Sequence, residues 1–163
     1  NGSKFLRYTF HDNYWNSNSR GFMIEEKKDW KLLVKATECC RDFVPIDDLI
    51  TWMLLPNNVM LVEKDNVGLA TYERNGVYNV HWYFHSARGR EAITLAKKMC
   101  AEIFNNYGGE TLIGIVKTRL KASRWACRKV GFKSYGKLIY DDGYENEILF
   151  ATKEEFMKGL NNG

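Results

Sequence analysis

His81, Tyr83, Arg88 and Arg90 fall close together in the run His81-Trp-Tyr-Phe-His-Ser-Ala-Arg-Gly-Arg-Glu-Ala92, where an apolar strand pattern passes directly into Arg-Gly-Arg and then into a helix. The first backbone N–H groups of a helix have no intrahelical acceptors and carry the positive end of its dipole, so such a junction attracts anions. Two guanidinium groups flanking a glycine add charge and fork-shaped donors, which suits a phosphate. Arg-Gly turns also open helices as plain connections, and the run alone supports both readings.

The elements that position this junction follow from periodicity and turn chemistry. Residues 4–10 read as a strand and 11–20 as a polar loop that carries Tyr14 and Trp15. Trp30, Leu33, Val34, Thr37 and Cys40 mark an amphipathic helix within 23–43, and Pro45 opens a second through about Leu55. Residues 59–63 and 67–73 alternate as strands around Asp65-Asn66, and Asn75-Gly76 is a hairpin signal leading into 77–84. A helix over 91–106 carries Ala92, Ala96, Met99 and Ile103 on one stripe; a strand over 111–116 follows Gly108-Gly109. A further helix runs from about Thr118 to Lys129-Val-Gly-Phe132, with Gly131 in the left-handed closing position. Strands over 132–140 and 144–151 flank the turn Asp141-Asp-Gly143. The expected order is strand, two helices, three antiparallel strands, helix, strand, helix, two strands.

Composition bounds the class. The chain has 163 residues, 45% hydrophobic and 14% aromatic, which predicts one folded domain over 4–160, with Asn1-Gly2-Ser3 set aside. No apolar run reaches the roughly 20 residues of a membrane-spanning helix, and no charged-then-apolar leader opens the chain, so a cytoplasmic protein is expected. Cys39, Cys40, Cys100 and Cys127 form no Cys-x-x-Cys pair, so no metal site is expected and reduced packing thiols are the default. Residues 117–133 hold Lys117, Arg119, Lys121, Arg124, Arg128, Lys129 and Lys133 with no acidic residue, whereas the rest of the chain is net negative. That stretch reads as a solvated face, a wall for phosphates, or a nucleic-acid contact; the third is disfavoured because aromatic and basic residues are not interleaved.

With Arg88-Gly-Arg-Glu-Ala92 followed by helix, strand, and a helix ending Arg128-Lys-Val-Gly-Phe132, the chain resembles the GNAT superfamily of acyl-CoA N-acyltransferases, and the element order matches over nearly its whole length. The loop looks most like that of small phage-encoded members. The resemblance implies an α/β (α+β) fold with a mixed, mostly antiparallel sheet of six to seven strands flanked by about four helices. It implies acetyl-CoA as acyl donor, a primary amine as acceptor, and a cytoplasmic site of action, in a host cell if the protein is phage-encoded. It also implies that the fourth and fifth strands splay, that the backbone of Trp82, Tyr83 and Phe84 holds the pantetheine arm, and that Arg88, Gly89, Arg90, Glu91 and Ala92 cradle the pyrophosphate, with Arg124 in the basic wall. Glu91 stands where many members have a second glycine.

Acetyl transfer needs an amine that loses a proton, a polarised carbonyl, and a proton for the departing thiolate. His81 and Tyr83 share strand parity and project together; His81 is either the base or a hydrogen-bonded sheet residue. Glu63 and Glu73 are the runners-up as base, and His85 shapes the turn or meets phosphate. The family's usual Asn falls at Leu120 and its sulfur-protonating Tyr at Cys127, which acts either as a weak acid or as a packing residue. The alternatives to Cys127 are unassisted departure of the thiolate, or Tyr83, Tyr135 or a water in place of the phenol. These losses keep open a second reading, a degenerate GNAT fold that senses CoA or contacts nucleic acid or a host protein. Tyr14, Trp15, Trp52, Tyr140, Asp141, Asp142 and Tyr144 form an aromatic and acidic set suited to a cationic amine, whether lysine, protein N-terminus or small amine.

Overall fold

The computed structural model describes residues 21–40 and 42–162. Among these, seven strands form one sheet in the order β1-β2-β3-β4-β5-β7-β6, with five helices on its faces. The strands are β1 (Glu25–Glu26), β2 (Val59–Glu63), β3 (Asn66–Arg74), β4 (Val77–Phe84), β5 (Thr111–Lys117), β6 (Lys133–Ile139) and β7 (Glu145–Thr152). The helices are α1 (Trp30–Thr37), α2 (Ile46–Leu54), α3 (Gly89–Asn106), α4 (Lys121–Val130) and α5 (Lys153–Asn162). Of the neighbouring strand pairs, only β4 and β5 run parallel, joined through α3. The expected mixed, mostly antiparallel sheet is therefore the observed one.

Strand alternation divides the core in two. On β2, Val59 and Leu61 join Tyr78, Val80, Leu95, Met99, Phe104, Leu112 and Leu149 beneath α3, α4 and α5. Met60 and Val62 join Val67, Leu69, Leu33, Ala36, Leu49 and Met53 beneath α1 and α2. β2 is buried along its whole length because it has helices on both faces. Each such Leu or Met contributes roughly 1.5–3 kcal/mol on leaving water. At Gly68 on β3, an added Cβ would lie 2.7 Å from both Met99 Sδ and the Trp82 ring, so the missing side chain lets α3 sit directly on the sheet.

Two boundaries and one element depart from expectation. The helix expected over 23–43 is only Trp30–Thr37. Asp29 caps it by accepting from the Lys31 and Leu32 amides, and the residues before it lie extended, with Glu25 and Glu26 paired to β2 and Ile24 in the core. The helix expected from Thr118 begins at Lys121, because the Thr118 amide and hydroxyl both bond the Glu145 carbonyl and keep the chain extended alongside β7. A C-terminal helix, α5, was not expected at all. Its start carries the Thr-x-x-Glu pattern of a capping box, with the Glu155 amide donating to Thr152 Oγ1, and its Phe156 packs 5.3 Å from Phe104. The strand expected over 4–10, with Tyr14 and Trp15, lies outside the described residues.

Candidate active site

β4 and β5 pair only at Val77, Tyr78 and Asn79. The narrow end is pinned where the Glu110 and Thr111 amides both donate to the Gly76 carbonyl, at 2.7 and 2.9 Å. Past Ile113, β5 follows β7 through to Lys117↔Asn146, while β4 stays with β3 through to Phe84↔Asn66. A wedge therefore opens between the two strands, and the edge of β4 from Val80 to Phe84 that faces it has no strand partner among the described residues. This is where a chain-like ligand could add backbone hydrogen bonds.

The wide end of the wedge leads to the start of α3. Arg88 is the N-cap residue in extended conformation and its side chain does not cap the helix. The helical ladder starts with the Ala92 amide donating to the Arg88 carbonyl, which leaves the amides of Gly89, Arg90 and Glu91 without intrahelical acceptors. Gly89 has φ +55°, and a Cβ placed on it would meet nothing within 4 Å among the described residues. Open space, free amides and a helix dipole coincide here. The Arg88 guanidinium folds back onto the carbonyls of Phe84 and Ala87, at 2.8 and 3.0 Å, while Arg90 and Glu91 are exposed.

Asn66 holds this loop from beneath. Its side-chain oxygen accepts the amides of Ser86 and Ala87, and its side-chain nitrogen donates to Glu63 at 3.1 Å and to the Ser86 hydroxyl at 3.2 Å. Ser86 in turn donates to Asp65; that hydrogen bond is the main reason the Asp65 carboxyl lies below its ordinary pKa. Glu63, a candidate base, is thus a buried member of the loop's support. Sequence reading took Asp65-Asn66 only as a turn and did not identify Asn66; a lone Asn beside a turn carries no signal of a partner twenty residues away.

His81 and Tyr83 do share a face, the one beneath α1 and α2. The His81 ring lies 6.0 Å from the Trp52 ring, and its Nε2 is 3.5 Å from Thr71 Oγ1. Burial lowers the His81 pKa to about 4, so the imidazole is neutral at pH 7. Burial, together with the Cys40 thiol, raises Tyr83 to about 12. Trp82 and Phe84 point to the opposite face, with ring centroids 6.1 Å apart, and pack on the core beneath α3. Glu73 is hydrogen-bonded to Asn79.

Cys127 is buried against β5, where a Cβ on Gly114 would lie 3.3 Å from its sulfur, and burial raises its pKa to about 12. Leu120 is the N-cap residue of α4 and supplies no capping side chain. Arg124 donates to the Thr118 carbonyl at 2.9 Å and to both carboxylate oxygens of buried Glu147, which also takes Arg128 at 2.7 Å and the Ser134 hydroxyl at 3.2 Å. Burial pushes the Glu147 carboxyl up, but the two guanidinium groups outweigh it and hold the carboxyl below its ordinary value. Lys117 and Arg119 pair with Asp42 at 3.1 and 2.7 Å and lie over the Tyr144 ring; Lys133 pairs with Glu155. Five of the seven basic residues of this stretch thus pair with three carboxylates from elsewhere in the chain, which offsets part of its charge.

No family model matches the sequence, and no curated protein does so either. Solved structures do match. A spermidine N-acetyltransferase mutant from Vibrio cholerae superposes with a TM-score of 0.68 at 9% identity, covering 84% of this chain and 98% of the other. A probable GNAT-family acetyltransferase from Chromobacterium violaceum gives 0.58 at 17% identity, covering 85% and 87%. An uncharacterized protein from Bacillus halodurans gives 0.65 at 12% identity, covering 87% and 90%. The fold is that of GNAT acetyltransferases.

Proposed function

We propose that the protein is an acetyl-CoA-dependent N-acetyltransferase acting on a primary amine. The observation that carries this reading is the wedge between β4 and β5, which ends at the uncapped start of α3 with open space over Gly89. The pantetheine arm would bond the free edge of Trp82, Tyr83 and Phe84, and the pyrophosphate would take the amides of Gly89, Arg90 and Glu91, with Ala92 allowing close approach. Arg88 would leave the Phe84 and Ala87 carbonyls to meet it. Arg124 braces α4 on Glu147 rather than offering its guanidinium to phosphate.

In this reading the neutral His81 accepts a hydrogen bond from the amine and passes its proton on through water. A base of pKa about 4 cannot hold that proton against an alkylammonium near 10.4, so the final acceptor is solvent. Neither Cys127 nor Tyr83, both raised to about 12, is a better acid than the CoA thiol it would protonate. The thiolate therefore departs unassisted. The Vibrio neighbour is named for spermidine, and the exposed turn residues Tyr140, Asp141 and Asp142 would offer aromatic and acidic groups to a cationic amine, whereas the Tyr144 ring is already covered by Lys117 and Arg119. The loop form fits a phage-encoded protein working in a host cytoplasm, and no helix of the described residues is long and apolar enough to cross a membrane.

Isothermal titration with acetyl-CoA, followed by thiol release over a panel of amines, tests the proposal. No binding at millimolar acetyl-CoA overturns it. Binding without turnover on any amine replaces it with a degenerate fold that uses CoA as a sensed ligand.

A further inference from the structure

Among the four cysteines, burial raises Cys100 and Cys127, and Cys100 lies wholly inside the core. Cys39 and Cys40 are exposed on the segment after α1. Cys39 Sγ lies 3.1 Å from His85 Nδ1, across forty-six positions of sequence, and 3.9 Å from the His85 carbonyl oxygen. The same Nδ1 lies 3.1 Å from the Lys35 carbonyl oxygen.

One ring nitrogen thus faces a thiol and a carbonyl at once. If Nδ1 is bare it accepts the thiol proton, but its lone pair then faces the lone pairs of the Lys35 oxygen. Moving the proton from sulfur to nitrogen removes that opposition, because the new N–H can donate to the carbonyl and to the thiolate together. If Nδ1 already carries hydrogen, that N–H is still placed to hold a thiolate. In either tautomer His85 supplies what a reactive thiol requires, a base or an N–H donor at contact distance. The surrounding charges include Lys35 on α1, the Asp65 carboxylate, which both Lys35 and His85 help to keep low, and Arg88 and Asp42, which act on Cys40 in opposite directions. Burial and the neighbouring Cys39 raise Cys40, so the adjacent thiol is the less reactive of the two.

We propose that Cys39 and His85 form a base-activated thiol that is modified by low-molecular-weight disulfides, and that modification there acts on the loop leading to Arg88. The Cys39 thiolate attacks one sulfur of a disulfide RS–SR; the S–S bond breaks, a Cys39–S–SR bond forms, and the departing RS⁻ takes the proton held on His85. No other oxidant is required. His85 joins Phe84, the last residue of β4, to Ser86, which Asn66 holds. A group on Cys39 breaks the contact with His85 and presses on this short connection. The second clause rests on the acyl-CoA reading of the site; the first does not.

The test uses the whole chain and 2,2′-dithiodipyridine, a neutral disulfide, added below one equivalent at pH 7, with the labelled peptide identified by mass spectrometry. The expected result is labelling of Cys39 ahead of Cys40 by tenfold or more in the unaltered protein, and a comparable slowing in His85→Ala and in His85→Gln. Equal labelling of the two thiols overturns the assignment, as does an unchanged rate in a folded His85 variant. Because the first comparison needs no substitution, it stands even if a variant fails to fold. Labelled protein should then bind acetyl-CoA at least threefold more weakly. Unchanged affinity overturns the coupling alone, whereas absence of acetyl-CoA binding by unlabelled protein overturns the proposed function and the coupling with it, leaving the thiol assignment to the labelling result.

Discussion

Asn66 Oδ1 lies 3.0 Å from the amide nitrogen of Ala87, and through that bond the β2–β3 hairpin fixes the loop that opens α3. The same side chain donates to Glu63, so its orientation is set by a carboxylate. Asn66→Ala would strand two loop amides and a buried carboxylate, at a cost of about 2–3 kcal/mol.

The sharper test is Asn66→Asp, which keeps the acceptor for the two amides but turns a donor to Glu63 into an opposed carboxylate. It should weaken acetyl-CoA binding several-fold, and adding Glu63→Gln, which restores a donor to the pair, should recover most of the loss. Titration calorimetry on the single and double variants gives the answer. Additive losses would mean that Glu63 does not orient this side chain.

Gly89 combines a positive φ with empty space, so strain and ligand contact can be separated. Gly89→Ala meets no atom of the described residues within 4 Å and carries the strain of a left-handed conformation, about 1–2 kcal/mol. Gly89→Asp adds a negative charge against the proposed pyrophosphate and should lower acetyl-CoA affinity at least ten-fold, about 1.4 kcal/mol. Unchanged affinity in the folded Asp variant would remove the cofactor from this end of the wedge.

The fold was legible where burial imposes period and turns carry Gly or Asn. The Asn75-Gly76 hairpin, the stripe on α3 and the closing Gly131 all stand where periodicity puts them. Boundaries slipped where a tertiary bond overrides local pattern, as when Glu145 holds Thr118 extended. The site was legible only as a backbone device. Its side-chain setting was not, because the partners of Arg124, Asn66 and Cys39 are 23, 20 and 46 positions away and no spacing rule spans such distances.

Cys127 separates packing from proton donation. With its sulfur against Gly114 and its pKa near 12, Cys127→Ala should cost on the order of 1 kcal/mol in stability and leave both acetyl-CoA affinity and turnover within about twofold. A folded variant that binds acetyl-CoA normally yet turns over tenfold more slowly would make the thiol the donor to the leaving sulfur.

Glu147 is buried between two guanidinium groups and a hydroxyl, so removing one partner leaves charge without compensation. Arg124→Ala and Glu147→Ala should each destabilise the fold, the latter by about 3 kcal/mol. Arg124→Ala should change acetyl-CoA affinity less than Gly89→Asp does. The reverse ranking would assign Arg124 to the phosphates.

His81 links stability to pH with a definite sign. Its pKa is about 4 in the folded chain and near 6.5 when unfolded. Between those values the unfolded chain binds a proton that the folded chain refuses, so stability falls as pH drops from about 6.5 to 4 and is fully present above that window. The loss approaches about 3 kcal/mol at the lower end. His81→Gln removes this contribution while Asp42, Asp65 and Glu147, all held below their ordinary values, continue to titrate in both proteins. Urea unfolding at pH 7.5, 6, 5 and 4.5 should therefore give a shallower decline for the variant, with the difference confined below pH 6.5. Parallel curves would mean that His81 takes up its proton over the same pH range in the folded chain as in the unfolded one, and a stronger proton acceptor on β4 would then replace the weak one described above.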